Sequence, residues 1–231
     1  MAILIAIGFQ KYKAWALNEQ RIRQIMRDNN AKYDLRPPVL YLRPFHIDGT
    51  WVDNRKPDIY TKASFQKDLI PVVPFFKLNI EEHLAQQIEK VGPFVAIGDS
   101  KQKYIDQFGA TRQFFRDDEW QAAVKNLMKN SSFILVRITP PVTDGFSWEM
   151  QQLTDTHLAK VIFYVSAQSE SLYFPILNYF KNIDLVFPDF KDLKFGPYIT
   201  FENKTKAHQS LVMCDTNIYI KTKSTIKGLN R

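Results

Sequence analysis

Between Val124 and Ser166 the chain reads VKNLMKNSSFILVRITPPVTDGFSWEMQQLTDTHLAKVIFYVS: a helix, a buried strand, a loop, a second helix and a second buried strand. Two apolar strands joined through a helix predict a parallel sheet with helices on its faces. The carboxyl ends of the strands in such open α/β sheets are where ligands bind. The pair Trp148-Glu149 falls just beyond one of those ends, where the loop after FILVRI becomes helix. That constrains both the fold and the place to look for chemistry.

The same grammar extends along the chain. Pro37-Pro38 forbids helix and marks a boundary. VLYLRPF (39–45) then reads as a first strand, PFVAIGD (93–99) as a second, FILVRI (133–138) as a third and KVIFYVS (160–166) as a fourth. Their unbroken apolar character is that of interior strands covered on both faces. Between them, IEEHLAQQIEKV places Ile80, Leu84, Ile88 and Val91 on one helical face, with Asn79 and Glu82 spaced as a capping pair. Asp117 is positioned to cap a helix that buries Trp120, Val124, Leu127 and Met128. Residues 46–78 and the stretch SKQKYIDQFGATRQFFR lack periodicity and read as loops. Beyond Ser166, SLYFPILNYF reads as a Pro-interrupted helix, LVF (185–187) and YITF (198–201) as short strands, and NIYIKTK (217–223) as an edge strand. This gives an N-terminal helix over 1–36, an α/β domain over 37–190, and a basic, irregular C-terminal extension over 191–231.

Composition narrows the function classes. With 45% hydrophobic residues in 231, the chain is globular material with one substantial core. The single Cys214 cannot form an internal disulfide, and four scattered histidines without HExxH or CxxC spacing make a zinc site improbable. The net charge of +7 sits at the ends: residues 1–36 hold seven Lys/Arg against three acids, and residues 191–231 hold eight against three. Basic ends around a near-neutral middle suit a solvated or membrane-facing flank better than a nucleic-acid surface. The N-terminal run AILIAIGF is too short to span a bilayer by itself. It reads as the tail of a longer membrane helix, as an interfacial helix, or as a helix packed on the domain. Arg21, Arg23 and Arg27 follow it as cytoplasmic flanks do. The expected location is the cytoplasm or the cytoplasmic face of a membrane.

Glu149 leads the residues able to carry chemistry. A carboxylate in a first helical turn is favoured by the helix dipole, so simple capping is the competing reading. Asp144 and Ser147 offer alternative caps, which leaves Glu149 free to stabilise or attack an oxocarbenium-like sugar. Arg43 and Phe45 end the first strand, where a guanidinium can reach a phosphate and a ring can stack on a base. Arg112 has the same double reading as Arg43, phosphate ligand or partner of a nearby acid. His46 and Asp48 lie in the long loop after the first strand, and Trp120 belongs to the core. No GxGxxG, Walker or GxSxG pattern is present, so classical dehydrogenase, P-loop and hydrolase-elbow chemistries lack their machinery.

Taken in order, VLYLRPF with Asp48 after it, FVAIGD, a helix into SSFILVRI, SWEMQQL and VIFYVS resemble a TIR-type domain over roughly residues 38–166. The resemblance implies a flavodoxin-like three-layer α/β fold with a mostly parallel sheet. TIR domains with the helix Glu cleave the nicotinamide glycosidic bond of NAD, and relatives without activity act as homotypic adaptors. It therefore implies Glu149 as the catalytic group, Trp148 lining the pocket, and Arg43, Phe45, Asp48 and Arg112 facing the nucleotide. NAD would be a substrate, with no cofactor and no metal. GPFVAIGD, GATR, DDEWQAAV and the Trp-Glu pair are also similar to bacterial proteins that carry such a domain after transmembrane helices. This implies membrane attachment through the N-terminus and self-association. A more distant likeness to nucleoside deoxyribosyltransferases shares the Glu acting on a glycosidic bond. The long 46–78 insertion and the tail after 166 depart from the family pattern.

Overall fold

The structure, a computed structural model, describes residues 2–44, 80–98, 108–139, 142–165, 170–191 and 198–210. In chain order its elements are α1 (Ala2–Tyr33), β1 (Val39–Leu42), α2 (Ile80–Ile88), β2 (Phe94–Gly98), β3 (Thr111–Phe114), α3 (Trp120–Asn130), β4 (Phe133–Ile138), α4 (Asp144–Thr156), a 3-10 turn (Leu158–Lys160), β5 (Val161–Val165), α5 (Glu170–Lys181), β6 (Tyr198–Asn203) and β7 (Lys206–Ser210). The seven strands form one sheet in the order β3-β2-β1-β4-β5-β6-β7. Pairing is parallel from β3 to β5, and antiparallel where β6 joins β5 and β7 joins β6. Without β3 at its edge, the parallel part runs second, first, third, fourth, the order of flavodoxin-like sheets.

β1, β2, β4 and β5 owe their apolar runs to burial on both faces. On one face, Leu40, Leu42, Ile134, Val136, Val161 and Phe163 pack under α3, α4 and α5. Phe163 is the hub, with Phe180, Phe187 and Phe201 edge-on at 5.6, 5.3 and 5.6 Å. On the other face, Val39, Tyr41, Phe133, Leu135, Ile162 and Tyr164 form a second core with Leu84, Ala85 and Ile88 of α2. Each fully buried aliphatic side chain contributes about 1.5–3 kcal/mol, so these two cores dominate the stability of the three-layer arrangement.

α1 docks through polar groups. Gln20 donates to Glu82 at 3.2 Å, Arg23 reaches the same carboxylate at 3.5 Å, and the buried Arg27 pairs with Glu89. Gln24 accepts from the Gly109 amide at 2.9 Å, just before β3. Arg23 and Arg27, read as membrane-edge residues, thus contact Glu82 of α2 and Glu89 just after it. Among the described residues no helix is long and apolar enough to cross a membrane.

Several local expectations change. The stretch read as a polar loop after the second strand contains β3, a short edge strand whose sequence, TRQF, carries no apolar signal. LVF (185–187) is not a strand: Val186 donates one bond to Lys204 O at 3.0 Å, but no ladder forms. YITF opens β6, and KAHQS supplies its partner β7, so the sheet continues into the region read as a C-terminal extension. α3 starts at Trp120 with Glu119 at its cap position, not Asp117. Glu82 is held by α1, while Asn79 lies outside the described residues, as do the 46–78 loop and NIYIKTK.

Candidate functional site

The chain leaves β1 for β2 and β3, then returns to place β4 on the other side of β1. Crossovers diverge there, and the crevice at the carboxyl ends of β1 and β4 is the switch point of the sheet. Arg43 follows β1, Thr139 follows β4, and α4 begins five residues later at Asp144.

The cap of α4 is Thr143, whose hydroxyl accepts from the Phe146 amide at 3.4 Å; Asp144 and Ser147 are not the cap. Glu149 is therefore in the second turn, past the first-turn position in which a dipole role would suffice. Its position belongs instead to the inward stripe Phe146, Glu149, Met150, Leu153, all buried. Glu149 is 5% exposed, and no hydrogen bond reaches its carboxyl among the described residues. Burial pushes its pKa up to about 8, opposed by the Arg43 guanidinium. A carboxyl so placed titrates near neutral pH, the range useful to a catalytic group.

Arg43 is buried and joins the two faces of the sheet edge. Its Nε lies 3.4 Å from Glu81 of α2, its Nη1 donates to Ile97 O at 3.3 Å, and its guanidinium stands 5.4 Å from the centre of the Tyr41 ring. Glu81 also pairs with Arg112 of β3 at 2.5 Å and accepts from the Ala110 amide at 3.2 Å. Burial alone would raise its pKa, but Arg112 and Arg43 together hold it below the usual carboxylate range. Gly109 permits this approach. Its φ is +117°, and a Cβ there would meet the Glu81 backbone carbonyl carbon at 2.9 Å.

The structure thus puts Arg43 within electrostatic reach of Glu149 and links Arg112 to the same edge through Glu81. It commits both arginines to Glu81, which the sequence reading did not single out. Trp148 turns elsewhere: its ring packs edge-on to Trp120 at 4.9 Å, with the Lys125 ammonium 5.5 Å from its centre. It holds α4 to α3. Phe45, His46 and Asp48 lie outside the described residues. A separate groove of about 490 Å³ runs beside α5, lined by Phe174, Leu177, Val186 and Thr205 among others, and none of the site residues touches it.

No family model, curated protein or solved structure matches this chain. The functional reading therefore rests on the switch-point geometry. Glu81 was detectable in the sequence: with Leu84, Ala85 and Ile88 it occupies a buried helical stripe, as Glu149 does in α4. An acid where the helical period demands an apolar residue is the signal shared by both.

Proposed function

We propose that the protein hydrolyses an N-glycosidic bond of a nucleotide, with NAD as the substrate and Glu149 as the catalytic carboxylate. The observation that carries this reading is a buried carboxyl without a hydrogen-bond partner among the described residues, at the switch point and within electrostatic reach of Arg43. In the reaction, the bond between ribose C1′ and the nicotinamide nitrogen breaks, and its electron pair neutralises the departing pyridinium. The ionised Glu149 stabilises the oxocarbenium-like sugar or bonds to its C1′. Water then adds at C1′ and loses a proton to the carboxylate or to solvent, giving nicotinamide and an ADP-ribose product. A cationic leaving group needs neither an acid nor a metal to depart.

The working form of Glu149 is the ionised one, so activity is low below its pKa and rises as pH passes through about 8. A bound pyridinium cation favours that ionised form and extends activity to lower pH. The test is release of nicotinamide from NAD by concentrated protein, compared with Glu149→Ala, across pH 6 to 9. Release that is lost in the variant and rises with pH supports the reading; no release, or equal release from the variant, defeats it. Activity that falls above pH 8 points to a protonated Glu149 serving a neutral leaving base instead, the chemistry of a nucleoside rather than of NAD.

A further inference from the structure

The carboxyl edge of the sheet holds buried hydrogen-bonding capacity that the described residues do not use. Tyr41 Oη, Arg137 Nε and Thr139 Oγ1 are each shielded from solvent and without a hydrogen-bond partner among those residues. Buried donors left in this state call for an explanation, and a ligand is one of few available. All three fall on one face of the sheet by register. The β1–β4 register sets Tyr41 opposite Leu135, so Tyr41 and Arg137 point to the same face, and Arg137 sits opposite Tyr164 of β5. The Tyr41 hydroxyl lies close enough to interact with Arg137 but does not complete a hydrogen bond. Thr139 comes directly after β4.

Charge points the same way. Arg43, Arg112 and Arg137 share this edge with Glu81, which is held ionised, and with Glu149, which is mostly protonated at neutral pH. Among the described residues the balance is cationic. Arg43 and Arg112 are both bound to Glu81, whereas Arg137 has no ion pair among the described residues. Tyr41 is fully buried, and Arg137 is partly buried with its Nε shielded from solvent. A planar fork of donors, backed by two hydroxyls and lacking an acceptor, matches a phosphate.

We propose that Arg137, backed by Tyr41 and Thr139, binds a phosphate group of a nucleotide at the switch point between β1 and β4. The choice of a nucleotide over other phosphate esters rests on the reading of Glu149; the anion site itself stands on Arg137 and its neighbours. Tyr41 and Arg137 share the face that α2 covers, while Glu149 comes from α4 on the opposite face, with Arg43 between them. A nucleotide held by both spans the sheet edge, its phosphate on one side and its glycosidic bond on the other. Phosphate binding is thus assigned to a residue other than Arg43 and Arg112.

The test is calorimetric binding of ADP, pyrophosphate and adenosine to the full chain. ADP and pyrophosphate bind the wild-type protein, and Arg137→Gln weakens both by about tenfold or more, the loss of one charge-assisted contact. Thr139→Val and Tyr41→Phe weaken them in the same direction by less, and adenosine is unaffected throughout. Wild-type protein that binds neither phosphate ligand, or binds ADP no better than adenosine, overturns the proposal, as does Arg137→Gln with wild-type affinities. If Arg137→Gln does not fold, Arg137→Lys and Thr139→Val, checked by circular dichroism, take its place, and wild-type binding by both is the overturning result. ADP binding through Arg137 without nicotinamide release defeats the hydrolase reading and leaves the anion site standing. Nicotinamide release with ADP binding indifferent to Arg137 does the reverse.

Discussion

Replacing Glu149 by glutamine tests whether the carboxyl is held as the structure has it, independently of any substrate. The amide keeps the shape of the side chain and removes its ionisation. In the native protein the pKa of Glu149 is about 8, against 4.5 for the ordinary side chain. Between those values the folded state binds more protons than the unfolded one, so stability falls as pH rises. The contribution is intact below 4.5 and is fully lost once pH passes about 8. Its full size is about 5 kcal/mol, of which about 3 kcal/mol is already lost at pH 7. Glutamine carries a fixed cost for an unpaired amide, but that cost does not change with pH.

Urea unfolding of the wild type and of Glu149→Gln at pH 5, 7 and 9 therefore gives curves that diverge. The stability of the variant relative to the wild type rises by about 4 kcal/mol from pH 5 to pH 9, or about 2 M in midpoint at a slope of about 2 kcal/mol/M. Glu81, whose pKa is lowered, and Glu89, whose pKa is raised mainly by burial, titrate in both proteins and cancel in the difference. Two pH profiles that run parallel would refute the argument: the carboxyl would then be solvated, and the motive for giving it a catalytic role would disappear.

Two further substitutions probe the supporting structure. Glu81→Gln leaves Arg43 and Arg112 without their shared counter-charge and costs about 3–5 kcal/mol, measured by urea unfolding. Adding Arg112→Met to Glu81→Gln recovers part of that loss, because one uncompensated buried cation is removed. Gly109→Ala forces a Cβ into a left-handed φ and against the Glu81 backbone, and lowers stability by about 1–3 kcal/mol in the same assay. A Gly109→Ala protein of wild-type stability would mean that the turn into β3 is looser than its contacts imply.

The parts of the fold that were legible in the sequence are those where burial and local preference agree. FILVRI and VIFYV are buried at nearly every position, so hydrophobicity alone marks them as interior strands, and a helix between them makes the pairing parallel. β3 was hidden for the opposite reason. An edge strand with one neighbour needs little apolar surface, and Thr111, Arg112 and Gln113 look like loop residues until β2 pairs with them. The helix start before Glu149 was misplaced because Thr143, Asp144 and Ser147 are all able to cap, and only the tertiary position of Phe146 selects among them.

That small displacement decides how the site is understood. With Glu149 in a first turn, the helix dipole explains a carboxylate and nothing further is required. Moved into the second turn and onto the stripe of Phe146, Met150 and Leu153, the same carboxylate occupies a place that packing reserves for an apolar side chain. Glu81 occupies the equivalent place in α2, on the opposite face, and there the cost of burial is offset by two arginines and a backbone amide. Arg43 pairs with Glu81 alongside Arg112 and acts on Glu149 through its charge alone. Glu81 is held ionised by its partners, and Glu149 is left near neutrality with a single arginine to draw on. Two buried carboxyls at one sheet edge with their proton affinities driven apart is the arrangement that separates a structural anchor from a reactive group.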